Sequence, residues 1–296
     1  MILPKYFDDR AKMLDVVLDQ YLTPETEEPK DLYAAMRYSV FSGGKRLRPI
    51  LFFATYEMLV KKATEQQMEQ ASLIAAALEM VHTASLIHDD LPSVDNSDER
   101  RGKESCHVKF GAATAILAGD ALLTKAFEMI TKLEDPRKAV HCIRVLCNLV
   151  STQGMIGGQT VDIISSSKQN IPITVIKYVH LKKTGALLEA ASHLACVMAD
   201  ADENTTNNMV NYAQNLGLAY QIIDDILDDI GDFEMLGKEP YEDARNFKST
   251  YPSILGLDKA RQTAEKLISD SSKLIKNLPN NHILIEFVKM IKDRLP

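Results

Sequence analysis

Two acidic clusters contain the residues of this sequence whose type and spacing could do chemistry. The first, HDDLPSVD, occupies 88–95, and the second, DDILDD, occupies 224–229. Each follows a long apolar stretch with helical spacing, so its carboxylates face the negative end of a helix dipole. Asp224 and Asp228 are one helical turn apart, and like charges at this spacing repel each other. A bound cation would relieve both effects, and oxygen ligands favour a hard ion such as Mg²⁺ or Ca²⁺.

The same clusters indicate which ion this is and what it would bind. They lack the glycine and the twelfth-position glutamate of an EF-hand loop for Ca²⁺. An Mg²⁺ ion held by a few carboxylates usually takes its remaining ligands from water and phosphate oxygens. The clusters therefore predict a diphosphate substrate. The simpler interpretation, that each cluster is a solvated helix end, is weakened because the arrangement occurs twice.

Basic residues beside glycines supply groups that bind phosphate. GGKRLRP occupies 43–49, and RRGK at 100–103 follows the first acidic cluster within a few residues. Glycine lets a backbone approach its ligand closely, and the arginine fork matches phosphate oxygens. The first motif is not a Walker loop, because the glycine spacing and the Lys-Ser/Thr pair are missing. A single basic patch is more often a solvated surface, so the hypothesis depends on acidic and basic clusters occurring together.

The elements that must position these clusters are helices. Alternation with period two is almost absent, and a spacing of three and four recurs in many apolar stretches, of which 71–86, 176–199 and 209–229 are examples. The stretch 187–198 is apolar nearly all round, which is typical of a helix buried in a large bundle. We expect an all-α protein. Because no Pro/Gly/Ser-rich linker divides the chain, we expect one domain over 1–296.

Composition excludes several other classes. The net charge of −7 and the lack of a basic face argue against a nucleic-acid-binding protein. The four cysteines form no CxxC pair and fit no zinc site. Residues 1–10 lack the apolar segment of a signal peptide, and the longest apolar run is too short to span a membrane. We expect a cytoplasmic protein with reduced cysteines.

Taken in order, the motifs resemble those of the trans-prenyl diphosphate synthases, specifically the bacterial farnesyl diphosphate synthase group. The resemblance extends from about residue 33 to residue 257. Beside the clusters above, it depends on CHVKFGAATAILAGDALL, GMIGGQTVDI, LKKTGALL, LAYQIIDDILDDIGD and FKSTYPSILGL. It implies a bundle of ten or more helices around a deep central cavity, with the two acidic motifs facing each other across its mouth. It also implies a homodimer.

The resemblance implies a role for each matching residue. Roughly three Mg²⁺ ions per active site would bridge the allylic diphosphate, bound by Asp89, Asp95 and Asp224, with support from Asp90 and Asp228. The residues that would hold the allylic diphosphate are Arg100, Lys183, Lys238 and Lys248. Those that would hold isopentenyl diphosphate are Lys45, Arg48, His82 and Arg101. Thr184 and Gln221 would lie near the reacting carbons and, with Lys183, form the catalytic group.

The chemistry implied by the resemblance suits these residue types. The allylic C–O bond ionises, and Mg²⁺ with the Lys and Arg groups stabilises the charge that develops on the departing diphosphate. The double bond of isopentenyl diphosphate then attacks the allylic cation, and a proton is lost to the released diphosphate. Starting from dimethylallyl and geranyl diphosphates, the product is farnesyl diphosphate. His82 lies seven positions before Asp89, on the same side of a helix, which supports its role.

Ala84 departs from the pattern of the bacterial farnesyl group, where the fifth residue before the first aspartate is commonly aromatic. With a rise of 1.5 Å per residue, Ala84 lies roughly 7–8 Å below Asp89. An aromatic ring there would limit chain growth, and alanine removes that floor, which favours geranylgeranyl diphosphate. Phe127 or Met155 could supply a floor from another helix. The overall resemblance favours farnesyl diphosphate, so both products stay open.

Three other functions compete with this prediction. A terpene cyclase would share the helical fold, but it needs neither an isopentenyl site nor a second complete acidic motif. A non-catalytic subunit that regulates a synthase typically loses an acidic motif, and both are intact here. A helical interaction protein without enzymatic activity would leave the paired charge clusters unexplained.

Overall fold

The all-α prediction is confirmed. The structure, a computed structural model, describes residues 2–166, 168, 171–231 and 249–296. This part of the chain contains fourteen α-helices, one π-helix and a two-stranded hairpin. It divides into two compact units, unit 1 comprising 1–53 and 62–143 and unit 2 comprising 54–61 and 144–296. One domain over the whole chain stays a prediction.

Unit 1 is built around one long buried helix, α4. Its helices are α1 (Ile2–Tyr21), α2 (Lys30–Val40), α3 (Leu47–Leu59), α4 (Glu65–Asp89), α5 (Cys106–Phe110), α6 (Ala112–Thr131) and α7 (Pro136–Val150), of which α3 and α7 continue into unit 2. Thr64 begins α4 with a capping box to Gln67. Every residue from Ala71 to Val81 is buried, as expected for a helix that is apolar on all sides.

Helix α4 is also long and apolar enough to cross a membrane by length and composition. However, 78% of its most hydrophobic window is buried within the protein. A core helix of a folded bundle meets the same criteria, and burial on this scale is typical of such a helix.

A short hairpin follows the first acidic cluster. Strand β1 (Glu99–Arg100) pairs antiparallel with β2 (Lys103–Glu104). The two residues of the turn, Arg101 and Gly102, have φ angles of 57° and 72°. Positive φ at both positions is the requirement of a type I′ turn. The hairpin therefore fixes where Arg100 and Arg101 leave the backbone.

Unit 2 places the second acidic cluster at the end of a long helix. Its helices are α8 (Met155–Ser166), α9 (Ile173–Val179), the π-helix (His180–Gly185), α10 (Ala186–Met198), α11 (Glu203–Ile230), α12 (Tyr251–Leu255), α13 (Leu257–Ile275) and α14 (His282–Lys292). Asp202 caps the start of α11 by accepting a hydrogen bond from the Thr205 N–H. Gly231, in the left-handed conformation, ends it directly after the acidic cluster.

The π-helix carries the KKTG motif, and α8 packs closely against it. A Cβ atom on Gly158 of α8 would lie 2.2 Å from the backbone nitrogen of Lys183. Only glycine permits this approach. Single-turn π-helices occur frequently at functional sites, and this one presents Lys183 and Thr184.

Candidate active site

The first acidic cluster forms an exposed turn at the end of α4. The chain reverses after Asp89, so that the Asp95 N–H donates to the Asp89 carbonyl at 2.9 Å. A second bond, from the Ser97 N–H to the Asp90 carbonyl at 3.2 Å, closes the same turn. Asp89 is half-buried and Asp95 is exposed. The turn therefore brings two of the predicted metal ligands together where a hydrated ion can reach them.

Asp90 has a different environment from its neighbour. It is buried, and it accepts hydrogen bonds from Nε of Arg100 at 2.7 and 2.9 Å and from Nη2 at 2.5 Å. Burial works against the charge of Arg100, but the hydrogen bond and the negative charge of Asp90 outweigh it, so the pKa of Arg100 is raised. Fork-to-carboxylate pairing of this kind is geometrically specific. It ties the hairpin to the end of α4.

His82 lies within a group of arginines in unit 1. Its Nε2 is 3.1 Å from Nη1 of Arg48. Burial, followed by the positive charges of Arg48, Arg101, Arg100 and Arg46, lowers the pKa of His82 well below its ordinary value. His82 is therefore neutral at pH 7. An arginine nitrogen can only donate, so Nε2 accepts and the imidazole proton resides on Nδ1.

Two of these arginines pair with carboxylates, and the other two have different partners. Arg46 pairs with Glu79, and Arg100 pairs with Asp90. Arg101 donates to the Gly43 carbonyl, and its guanidinium occupies the space that a Cβ atom on Gly44 would need. Within the described residues, the enclosed Nδ1 of His82 has no hydrogen-bond partner. Donors and positive charge that converge in this way are suited to a diphosphate.

The second acidic cluster in unit 2 is held by contacts of a different kind. Asp224 accepts from Nη2 of Arg294 at 2.7 Å, and the Arg294 guanidinium lies 4.5 Å from the centre of the Tyr220 ring. Asp228 is buried. A cation already compensates the first aspartate of this cluster, as its unfavourable position at a helix end requires.

Asp225 connects the second cluster to the π-helix. It accepts from the backbone N–H of Tyr251 at 2.9 Å, and it lies 3.0 Å from Nε2 of His180, the first residue of the π-helix. The His180 and Tyr251 rings stack with centres 5.6 Å apart. Burial, with a smaller effect of Asp225, raises the pKa of the Tyr251 hydroxyl to about 12.

The predicted catalytic residues meet on the π-helix and on α11. The Thr184 hydroxyl donates to Oε1 of Gln221 at 3.1 Å. The adjacent Lys183 forms an ion pair of 2.7 Å with Asp162 of α8. Gln221 stands three residues, about one helical turn, before the second acidic cluster on α11, and its partner Thr184 lies on the π-helix next to Lys183.

Comparison with known proteins decides the identity of this arrangement. The family model described as polyprenyl synthetase matches residues 29–282. The chain belongs to the polyprenyl synthetase family. It is a prenyltransferase.

Relatives of this prenyltransferase carry several product names. A dimethylallyltranstransferase from Fischerella ambigua is 43% identical over 92% of this chain and 77% of its own. A geranylgeranyl diphosphate synthase from Cyanophora paradoxa is 41% identical over 98% of this chain and 95% of its own. A farnesyl diphosphate synthase from Escherichia coli is 37% identical over 99% of this chain and 98% of its own.

A solved structure has the same fold as the prenyltransferase. The crystal structure of an FPP/GFPP synthase from Zymomonas mobilis superposes with a TM-score of 0.84 and 31% identity, covering 98% of this chain and 96% of that chain. The fold class and the resemblance inferred from sequence are therefore confirmed.

The structure of the prenyltransferase brings together most of the predicted site residues, and their roles stay predictions. In unit 1 it groups Arg48 with His82 and Asp89 with Asp95. Lys45 is exposed on the same loop as Arg48. In unit 2 it joins Thr184 to Gln221. Lys238 and Lys248 lie outside the described residues.

Three further residues of the prenyltransferase site escaped the sequence analysis. Asp162 pairs with Lys183, Asp225 contacts His180, and both amide atoms of Gln159 are buried without a partner among the described residues. Gln159 and Asp162 stand three apart on α8, which places them on one face. That spacing within GMIGGQTVDI was the available signal. Nothing in the sequence marks Asp225 as different from Asp224.

Proposed function

We propose that this prenyltransferase condenses isopentenyl diphosphate with dimethylallyl and geranyl diphosphates to make farnesyl diphosphate. One observation carries the proposal, the anion-binding group formed by Arg48, Arg101 and neutral His82 in unit 1. An enzyme that only ionises one allylic diphosphate needs a single diphosphate site beside its metal. These residues lie outside the acidic turn and form a second set of groups that suit an anion, which supports a second diphosphate substrate and argues against a terpene cyclase.

Mg²⁺ fits the residues of the acidic turn. Asp89 and Asp95 offer only oxygen ligands, as a hard cation prefers. Among the described residues no group of three His, Cys, Asp or Glu side chains forms a ready-made metal site. Water and diphosphate oxygens would complete the coordination, as is usual for Mg²⁺ bound by a few carboxylates. Asp224 and Asp228 are proposed as further ligands. Bound Mg²⁺ would neutralise the charge that develops on the departing diphosphate.

The basic group of unit 1 would hold isopentenyl diphosphate. Arg48 and Arg101 can approach diphosphate oxygens with paired N–H groups, and exposed Lys45 adds a third charge. Nε2 of His82 accepts from Arg48 and would hold that guanidinium in place for a diphosphate. Because His82 is neutral, it keeps this acceptor at pH 7.

The π-helix would act on the allylic carbons. Thr184 and Gln221 present oxygen dipoles that stabilise an allylic cation, and Lys183 binds the allylic diphosphate, in competition with Asp162. Arg100 would join Lys183 only if it left Asp90, to which it is bound here. The proton lost at the end of the reaction passes to the released diphosphate.

For the length of the product, geranylgeranyl diphosphate is an alternative to farnesyl diphosphate. Ala84 is buried in α4 and 3% exposed, so this helix presents no ring below Asp89. Half-buried Phe127 on α6, which packs against α4, is the nearest candidate for a floor within unit 1. The small side chain of Ala84 supports geranylgeranyl diphosphate, and the resemblance to the bacterial farnesyl group supports farnesyl diphosphate.

We also propose that the enzyme is a cytoplasmic homodimer. Large apolar side chains are exposed in unit 1 at Val108, Ile116, Leu117 and Val140, with exposed fractions of 42–58%. A patch formed by such side chains would be typical of an association site. The four cysteines are free thiols, which is usual in a reducing compartment.

Product analysis tests the proposal. The protein is incubated with Mg²⁺ and isopentenyl diphosphate and, in separate reactions, dimethylallyl, geranyl or farnesyl diphosphate, and the dephosphorylated alcohols are separated by chromatography. Farnesol as end product supports the proposal, and geranylgeraniol supports the Ala84 alternative. A cyclic hydrocarbon would indicate a cyclase. No product with any starter would contradict the proposal and favour a non-catalytic subunit.

A further inference from the structure

One arginine of the GGKRLRP loop (43–49) is turned away from the anion-binding group. The side chain of Arg46 is 4% exposed, whereas its neighbour Lys45 is exposed. Arg46 has a φ angle of 48°, in the left-handed region that disfavours residues other than glycine. A charged residue that is both buried and strained in its backbone is held there by specific partners.

Those partners come from three helices of unit 1. Nη1 of Arg46 donates to Oε1 of Glu79 on α4 at 2.7 Å. Nη2 donates to the carbonyl of Val40, the last residue of α2, at 2.7 Å, and to Oδ1 of Asp15 on α1 at 3.1 Å. The Glu79 side chain is 2% exposed. The Arg46 guanidinium is therefore fully engaged inside the protein and unavailable to a substrate.

The bond to Val40 closes the loop on itself. The loop begins two residues after the end of α2, and its fourth residue, Arg46, returns to the Val40 carbonyl that ends α2. The Arg46 carbonyl also accepts from the Ile50 N–H at 3.0 Å, so the same residue begins α3. Gly43 and Gly44, which contact Arg101, lie inside the closed segment. Their position is therefore fixed by Arg46.

The contacts on α4 set the position of Arg48. Arg46 reaches Glu79, and Arg48 reaches His82, three residues later on the same face of α4. Arg46 and Arg48 flank Leu47, so the loop is attached to α4 at two points one turn apart. Arg46 therefore fixes the backbone where it enters α3, two residues before Arg48.

The energetics favour a role in geometry over one in stability. Removing two charges from water costs about as much free energy as their attraction returns, so a buried ion pair is a weak stabiliser. Such pairs are retained in some proteins because they specify one arrangement. Here the arrangement that Arg46 and Glu79 specify is that of the basic groups around His82.

We propose that Arg46 is a positioning residue for isopentenyl diphosphate, acting through Glu79 and the Val40 carbonyl to hold Lys45, Arg48 and Arg101 in register. The proposal rests on the assignment of the isopentenyl site to this group. It predicts an effect on the binding of one substrate only, because the hydrogen bonds of the Arg46 guanidinium are to residues of unit 1.

Steady-state kinetics of Arg46→Met, with each substrate varied in turn, test the proposal. We expect the KM for isopentenyl diphosphate to rise about tenfold or more, a loss of about one decade in affinity. The KM for the allylic diphosphate and kcat should stay within about twofold to threefold, a change smaller than one decade. Glu79→Gln keeps an oxygen that accepts from Arg46, so it should raise the isopentenyl KM less than Arg46→Met.

Two further variants separate positioning from stability. Arg46→Met with Glu79→Met replaces the ion pair by apolar side chains, which usually restores stability. We expect its Tm to recover while the isopentenyl KM stays high. Arg37→Met is the matched control, because Arg37 also joins α2 to the α1 side, through Asp19 and the Leu22 carbonyl, but lies outside the loop. It should lower the Tm and leave both KM values unchanged.

The outcomes distinguish this inference from the proposed function. Wild-type protein that yields no prenyl product would overturn the proposed function itself. Wild-type activity with an unchanged isopentenyl KM in Arg46→Met would overturn only the role of Arg46. A double variant that regains a normal KM together with its Tm would also overturn it, because the pair would then be purely structural. Should Arg46→Met not fold, Arg46→Lys, which keeps the charge but cannot span three acceptors at once, gives the same comparison.

Discussion

At the scale of single residues, the site depends on which charges are compensated. Arg46 and Arg100 are committed to buried carboxylates, whereas Arg48 and Arg101 are directed to an imidazole and a backbone carbonyl. The same arrangement keeps His82 neutral. A diphosphate that binds there as proposed would meet donors that already hold their geometry, which reduces the ordering cost of binding.

The neutral state of His82 makes stability depend on pH. Its pKa in the folded protein is lowered well below the value of about 6.5 expected in the unfolded chain. The unfolded state therefore binds the proton first as the pH falls. The contribution of neutral His82 to the free energy of unfolding is therefore fully present above about pH 6.5. It is lost as the pH falls below that value, by up to about 1.4 kcal/mol per pH unit for one proton.

Urea unfolding between pH 5 and 7.5 measures this dependence. Replacing His82 by Gln should remove the part of the pH slope that one proton contributes. An identical slope in wild type and the His82 variant would show that His82 is not held neutral.

Sequence could predict the roles of these residues only in part. The types and order of the clusters were enough to indicate diphosphate and Mg²⁺ chemistry and to group Arg48 with His82. Arg46 and Arg48 are the same residue type two positions apart, and only burial separates an internal anchor from a candidate substrate ligand. The burial of Arg46 depends on α1, α2 and α4 together, so the sequence around Arg46 alone cannot predict it.

At the scale of elements, helix periodicity predicted the long helices well and the π-helix not at all. Stretches 71–86 and 209–229 lie inside α4 and α11. The sequence pattern of the KKTG segment predicts an ordinary α-helix. The change to π-helical hydrogen bonding depends on packing against neighbouring helices, which the local pattern does not show. Gly158 on α8 and Gly217 on α11 bring two backbones against this turn, the second with its Cβ position 3.2 Å from Cα of Gly185.

Gly158→Ala tests whether that packing positions the catalytic residues. The added methyl group would lie 2.2 Å from the Lys183 backbone nitrogen, so the π-helix must move. Overpacking of this kind costs about 1–3 kcal/mol of stability, and a displacement of about 1 Å at a reacting group can cost about 100-fold in rate. We expect a lower Tm and a kcat reduced by about 10- to 100-fold, measured by thermal denaturation and by product formation.

The neighbouring exposed residue on α8 provides the control. Thr160→Ala changes the same helix without touching the π-helix, and its Tm and kcat should stay close to wild type. A Gly158→Ala enzyme with normal kcat would mean that the π-helix tolerates displacement and does not set the geometry of Lys183 and Thr184.

At the scale of the whole molecule, each compact unit contains one acidic cluster and its own set of cations. In unit 1 Asp90, the neighbour of Asp89, pairs with Arg100, and in unit 2 Asp224 pairs with Arg294. The family match runs from 29 to 282 and thus includes both units. The proposed reaction requires both clusters in the same chemical step.

That requirement predicts non-additive effects of substitution. Asp89→Ala and Asp224→Ala should each reduce turnover by about 10²–10³-fold or more, since each removes a group that stabilises charge on the departing diphosphate. If both act in one step, the double variant should be about as impaired as the worse single variant, because residues that act as a unit are strongly non-additive.

Turnover and circular dichroism of the single and double variants measure this coupling. The helical signal should be retained in all three variants. The control is Asp229→Ala, which changes an exposed residue of the second cluster. It should retain turnover within about twofold, since exposed positions without such contacts tolerate substitution. A double variant whose loss equals the product of the single losses would mean that the two clusters contribute independently. The ionisation of one allylic diphosphate would then not need carboxylates from both units.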